Sequence, residues 1–405
     1  MDMRRRSFLA AGAAGAAGAA ALLGGAGTAN AATKAPSWRP GALNEDVPLR
    51  DLAAKIGLRI GSAIIPQDID TPTWNAIAST QFDVYTPGNE MKWQVVEPTQ
   101  GVFDWTGADN LVNFADTNHA LVRGHTLCWH NQLPNWLLTN VANGDYTQTQ
   151  LLDLLQEHIF TEVGRFRGRI WQWDVCNEFL TDSNPSQVDP TNWWIVNAGP
   201  ECIPLAFKWA HEADKNALLF YNDYNIGGED GSNAKHDAAF ALAQQLLDDG
   251  IPINGVGNQG HLDTQYGWSP QLLRQDLEHF VSLGLKVAIT EADVRTFVNN
   301  ATDQVPTDNL ALFAHPFEFE EMLKAVLAVP EAISFTMWGF TDTDSWVPPV
   351  FTGEGYATIY DVNQNPKQAY YSLQSELAIA ACGAPHRVRT YTPPITSPIY
   401  PATAP

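Results

Sequence analysis

The sequence predicts a single (β/α)8 TIM barrel, an α/β fold, and three observations carry that expectation. Short apolar runs alternate with helical patterns from about residue 51 to residue 382. Eight of these runs have the length and apolar character of strands covered on both faces. At 405 residues the chain suits one such barrel with flanking pieces. A doubly wound open sheet is the alternative. It calls for a Gly-rich phosphate turn after an early strand, and none is present.

Residues 1–31 read as an export signal. Arg5-Arg6-Ser7-Phe8-Leu9 is a twin-arginine pattern, a weakly apolar Ala/Gly run extends from Ala10 to about Ala26, and Ala29-Asn30-Ala31 is a small-x-small cleavage site. The run is short, Gly-rich and ends in that site, so a membrane anchor is not expected. The expectation is a secreted, extracellular protein, exported by the twin-arginine route, whose mature chain starts near Ala32. Residues 32–50 read as an irregular leader.

Within the barrel domain, 51–382, strands are predicted at 58–64, 82–87, 121–128, 170–176, 217–223, 253–260, 285–291 and 332–338. Helical patterns lie between them, from Leu151 onward and at Lys235 to Asp249, Gln271 to Leu283, Phe317 to Val329 and Lys367 to Ile379. Residues 383–405 contain several Pro and Thr without periodicity, and read as a flexible tail. No repeat, second domain or linker is visible.

Composition narrows the partners. The net charge is −22, and residues 1–31 hold three Arg and one Asp, so the mature chain stands at −24. Such a surface repels polyphosphates, which argues against nucleic acid. Acidity alone also serves solubility. The 14 Trp and 11% aromatic content suit core packing or flat platforms for sugar rings. Cys128, Cys176, Cys202 and Cys382 lack the CxxC spacing of a zinc site. Export permits disulfides, and three pairings exist.

In a barrel of this class the C-terminal strand ends share one face and build the site. Those positions hold Asn89 and Lys92 after strand 2, and His125, Trp129, His130 and Gln132 around the end of strand 3. Asn177 and Glu178 end strand 4, and Tyr221 to Asn225 follow strand 5. Gln259 and His261 end strand 6, Glu291 and Asp293 end strand 7, and Trp338, Asp342 and Trp346 follow strand 8. Two carboxylates across a barrel mouth are what glycoside hydrolysis requires, one to protonate the leaving oxygen and one to attack or to activate water. His261, itself held by Asp293, would keep Glu291 ionised. Glu178, between apolar and aromatic neighbours such as Trp173 and Phe179, is expected to have a raised pKa through partial burial.

The motifs Asn89-Glu90-Met91-Lys92-Trp93, Arg123-Gly124-His125-Thr126-Leu127, Trp129-His130-Asn131-Gln132-Leu133-Pro134, Trp173-Asp174-Val175-Cys176-Asn177-Glu178, Tyr221-Asn222-Asp223-Tyr224-Asn225, Ile289-Thr290-Glu291 and Asn365-Pro366-Lys367 occur in this order. Together they make roughly residues 45–380 resemble glycoside hydrolase family 10, the endo-β-1,4-xylanase family. The resemblance implies a retaining hydrolase of xylan, with Glu178 as acid/base and Glu291 as nucleophile. It implies that His261 and Asp293 brace Glu291, with Asn177 and Gln259 touching the sugar beside it. Asn89, Lys92, His125, Trp129, Gln132, Trp338 and Trp346 would shape the non-reducing side, and Tyr224 and Asn225 the leaving-group side. It implies no cofactor and no metal, and a polysaccharide or oligosaccharide substrate; no nucleic acid or membrane partner is expected, and a monomer is.

Three positions depart from the family pattern. Gly88 stands where a sugar-binding Glu is usual, Val347 where Arg is frequent, and Gly260 where Ser is usual. A lost charge-assisted hydrogen bond to a sugar hydroxyl costs about 1.5–3 kcal/mol. The substrate alternative is therefore a plant saponin glycoside, as for tomatinases. Two further classes are a metal-dependent barrel enzyme using His125, Glu178, His261 and Glu291, and a non-catalytic carbohydrate-binding barrel. Strand 1 lacks the His-x-His pair the former would use, and both carboxylates are intact, which the latter would not need.

Overall fold

The computed structural model describes residues 47–229 and 232–383. The export signal, almost all of the leader and all of the tail except Gly383 lie outside the described residues.

Eight parallel strands form the barrel: β1 Arg59–Ile64, β2 Val84–Pro87, β3 Leu121–Trp129, β4 Gln172–Asn177, β5 Leu218–Asp223, β6 Gly255–Asn258, β7 Lys286–Phe297 and β8 Ala332–Met337. Each pairs with the next, and β8 pairs with β1 through Arg59↔Ser334 and Gly61↔Thr336, which closes the ring. Most strand residues are buried, as the apolar runs require. Close packing selects particular residues. A Cβ on Gly124 of β3 would lie 2.2 Å from the Trp173 ring on β4, so Gly lets this large indole sit flat against the neighbouring strand.

Helices cover the outside, among them Gln148–Arg165, Cys202–Ala213, Ala234–Asp248, Pro270–Ser282, Ala311–Leu327 and Gln368–Ala381. Local chemistry sets several starts. Thr147 and Gln150 form a reciprocal capping box at the first of these. Ser269 caps the fourth, with Pro270 at its first position.

Four boundaries differ from expectation. Leu49 and Arg50, the end of the predicted leader, already belong to the helix Leu49–Ala54. The helix expected from Phe317 begins at Ala311 and runs through Pro316. Pro316 removes one N–H, and the carbonyl four residues back belongs to Leu312, an exposed residue in the first turn of the helix. The sixth strand breaks at Gln259-Gly260, where Gly260 has φ +77°, and resumes as His261–Asp263. The seventh runs six residues past its predicted end, because His261–Asp263 and Glu354–Gly355 supply new ladder partners beyond the barrel rim. Gln368–Ala381 follows its predicted bounds closely.

Candidate active site

Glu291 lies inside β7, not at its end, and is 4% exposed. Its Oε1 accepts from Asn222 Nδ2 at 2.8 Å and meets the Arg123 guanidinium at 3.3 Å, while Oε2 lies 3.5 Å from His261 Nε2. His261 Nδ1 is 2.9 Å from Asp293 Oδ1, and Asp293 Oδ2 accepts from Trp346 Nε1 at 2.6 Å. Burial alone would push the Glu291 carboxyl up. The His261 hydrogen bond, His125 and Arg123 outweigh it and bring the value down to about 2. His261 moves the other way: burial disfavours its charge, but Asp293 and Glu291 raise it to about 10. The pair is thus an imidazolium held between two carboxylates.

Glu178 is the first residue after β4 and has φ +58°, in the left-handed region. Its carboxylate is half-buried and accepts from Trp129 Nε1 at 2.8 Å and from Gln259 Nε2 at 3.0 Å. The expected apolar surroundings are thereby corrected. The turn at Glu178 swings the carboxylate to the mouth, where its hydrogen-bond partners are these two donors and not its sequence neighbours Trp173 and Phe179.

Amide side chains link the two acids. Gln259 Nε2 also lies 3.4 Å from Asn177 Oδ1, and Asn222 Nδ2 donates to both Asn177 Oδ1 and Glu291 Oε1 at 2.8 Å. Asn177 is 1% exposed, and its Nδ2 has no partner among the described residues.

A second group gathers on β2, β3 and β8. Lys92 Nζ and Gln132 Nε2 both donate to Asn89 Oδ1, at 3.2 and 3.1 Å. Lys92 Nζ lies 5.0 Å from the Trp129 ring and 5.8 Å from the Trp338 ring, and His125 meets Trp338 edge-on at 5.1 Å. Burial pulls Lys92 down to about 8 against the charges of Glu291, Glu178 and Glu90. Tyr224 stands apart, donating to Asp182 Oδ2 at 2.8 Å, with Asn225 beside it in a left-handed conformation, φ +55°.

Three residues were given no role from the sequence. Arg123 donates to Asp174, to the Thr290 carbonyl and to Glu291, and Asp174 also takes His125 Nδ1 at 2.8 Å. Burial would raise the Asp174 carboxyl, but Arg123 and His125 hold it below the ordinary range. Asn222 is the third. Period-two spacing was the usable signal: Arg123 and His125 are two apart on β3, and His125 pairs in register with Asp174. Two further placements stand out. Asp342 is not at the mouth; it is buried and bound by Lys367 Nζ through both oxygens, at 2.9 and 2.8 Å. Trp346, expected only to shape a cleft, packs on the His261 ring at 5.0 Å and donates to Asp293.

His125, Asp174 and Glu291 form the one described group dense enough in donors for a metal ion. The Arg123 guanidinium lies 2.7 Å from Asp174 and 3.3 Å from Glu291, so a cation already serves these carboxylates and the set suits a metal poorly. All four cysteines are free thiols, three of them buried. No described helix is long and apolar enough to cross a membrane.

Comparison with known proteins places this geometry. The family model described as glycosyl hydrolase family 10 matches residues 48–376. Endo-1,4-beta-xylanase B of Thermotoga neapolitana is 37% identical over 337 residues, 82% of this chain and 92% of that protein. A beta-1,4-xylanase of Dictyoglomus thermophilum is 36% identical over 324 residues, 78% and 87% of the two chains. The solved xylanase 10B from Thermotoga petrophila in complex with xylobiose superimposes with a TM-score of 0.77 at 36% identity, over 84% of this chain and 100% of that one.

Proposed function

The chain belongs to glycosyl hydrolase family 10, and from that premise we propose that it is a secreted, retaining endo-β-1,4-xylanase working by double displacement. The observation that carries the mechanism is the contrast between two carboxylates on one barrel mouth. Glu291 is kept ionised by a histidine and an arginine, whereas Glu178 is met by the neutral donors Trp129 and Gln259. Acid and nucleophile roles require such unlike surroundings.

In the first step Glu291 attacks the anomeric carbon while Glu178 gives its proton to the leaving oxygen. The glycosidic C–O bond breaks and an ester to Glu291 forms. In the second, ionised Glu178 takes a proton from water, the water oxygen bonds to the same carbon, and Glu291 leaves. Two inversions return the starting configuration. Asn177 Nδ2, buried and without a partner among the described residues, supplies a donor to the sugar against Glu291, beside Gln259. His261 and Asp293 brace the nucleophile. Asn89, Lys92, His125, Trp129, Gln132, Trp338 and Trp346 line the non-reducing side, and Tyr224 and Asn225 the leaving-group side. Neither step needs a cofactor.

Xylan as substrate is supported by the matched relatives, which are named xylanases, one of them solved with xylobiose. Secretion rests on the twin-arginine pattern. The test is a pair of variants on aryl β-xylobiosides. Glu291→Ala abolishes turnover, and azide then yields the α-azide. Glu178→Ala spares a dinitrophenyl leaving group far more than polymeric xylan. Full activity of Glu291→Ala overturns the mechanism. Activity on a saponin glycoside alone, within a panel that includes xylan, overturns the substrate and leaves the mechanism standing.

A further inference from the structure

The left-handed turn at Glu178 needs to be held, and the holding groups lie on the far side of the barrel wall. Glu178 N–H donates to the Asn222 carbonyl at 3.0 Å, continuing the ladder between β4 and β5. The next amide does not continue it. Phe179 N–H donates instead to the phenol oxygen of Tyr221, at 3.2 Å. Tyr221 is 1% exposed, and its O–H donates to Asp223 Oδ2 at 2.5 Å. Residues two apart on a strand share a face, so Tyr221 and Asp223 point away from Asn222, which reaches Glu291. Behind them, buried Lys235 on the helix Ala234–Asp248 places Nζ 3.0 Å from Asp223 Oδ1 and 2.9 Å from Asp182 Oδ1 in the loop after β4. That same ammonium sits 3.3 Å from the centre of the Tyr224 ring.

We propose that Tyr221, Asp223 and Lys235 are positioning residues for Glu178: they fix the peptide that follows it and so aim its carboxyl at the leaving oxygen. The inference rests on the reading of Glu178 as proton donor. The logic is geometric. Tyr221 has one O–H, which Asp223 takes, so its oxygen is left to accept from Phe179 N–H. Asp223 is in turn held by Lys235, which also ties the β4 loop to β5 through Asp182. None of the three touches the Glu178 carboxylate, so their loss should move the acid and leave Glu291 in place.

That separation supplies a test. With the purified full chain, kcat/KM is measured on phenyl and 2,4-dinitrophenyl β-xylobiosides, because kcat/KM reports bond cleavage and only the phenyl compound needs a proton. Tyr221→Phe is expected to lower kcat/KM about tenfold or more for the phenyl compound, part of the 10²–10⁴ that positioned proton transfer contributes. The dinitrophenyl value stays within about twofold, as for any variant that spares the nucleophile. Asp223→Asn, which keeps the side-chain shape, is expected to give the same split to a smaller degree and serves where Tyr221→Phe does not fold. Equal losses on both compounds, or none on either, in a folded variant overturn the proposal. Glu178→Ala run alongside separates the two ideas: if it too shows no split, the proton-donor reading itself has failed.

Discussion

Replacing His261 by Asn should move the acid limb of activity upward, and the structure sets the size of the move. An ordinary glutamate titrates near 4.3, and Glu291 is brought down to about 2. That difference is worth about 3 kcal/mol in favour of the carboxylate. The figure is net, because burial works against it and His261 is the first of the groups that oppose burial. Without the imidazolium the burial penalty remains while its largest offset is gone, so the carboxyl rises from about 2 toward the ordinary range, with His125 and Arg123 still opposing burial. The assay is kcat/KM of dinitrophenyl β-xylobioside from pH 2 to 8, a substrate that needs no proton donor, so its acid limb reports Glu291. The wild-type limb should lie below about pH 3 and the His261→Asn limb about one unit or more above it. Stability should follow by linkage. Glu291 is depressed, so its contribution is present above the ordinary glutamate value and lost as pH falls toward 2. His261 is raised, so its contribution is complete below the ordinary histidine value near 6.5 and lost as pH rises toward 10. Both contributions are whole between about pH 4.3 and 6.5, and the variant should lose that plateau in its unfolding midpoint. An unmoved acid limb in a folded variant would show that His261 does not control Glu291.

Two further changes probe other parts of the chain. Lys367→Met should cost about 3–5 kcal/mol by leaving Asp342 charged, buried and unpaired. The loss, read by urea unfolding, should shrink as pH falls and Asp342 protonates; a loss independent of pH would refute this account. Gly88→Glu should fit without strain, because a Cβ there meets only the Ile64 carbonyl at 3.6 Å. It should lower KM for xylotetraose more than it changes kcat, worth about 1.5–3 kcal/mol if the carboxylate reaches a sugar hydroxyl; an unchanged KM would show that this part of the cleft does not use the position.

The barrel was legible because its strands are apolar on both faces and its helices are periodic. Both signals are local. The candidate acids Glu178 and Glu291 were legible for a related reason, since a polar residue closing an apolar strand stands out. What surrounds them was less visible. Glu178 has apolar sequence neighbours, yet its carboxylate meets Trp129 from β3 and Gln259 from the end of β6. Those contacts depend on a left-handed turn that an Asn-Glu pair does not announce. β7 was read too short because partners created by loops, His261–Asp263 and Glu354–Gly355, extend its ladder. Asp342 looked like a site residue by position, and its true partner, Lys367, lies 25 residues away in sequence.

The residues to which sequence reading gave no role share a property. Arg123, Asp174 and Asn222 are polar side chains inside strands, where an apolar pattern invites them to be discounted. A buried arginine is costly to bury unless paired, and Arg123, fully buried, meets Asp174 and Glu291. Strand parity then sorts the remainder. On β5 the even residue Asn222 points to the acids, and the odd residues Tyr221 and Asp223 point to Lys235 behind the wall. One strand therefore carries two layers, a polar group that touches Glu291 and, on the proposed reading, a brace for the peptide after Glu178. A Tyr-Asn-Asp run at a barrel rim is better read as alternating inner and outer parts than as three candidates for one role, and the leaving-group test on Tyr221→Phe decides whether the outer part acts on chemistry.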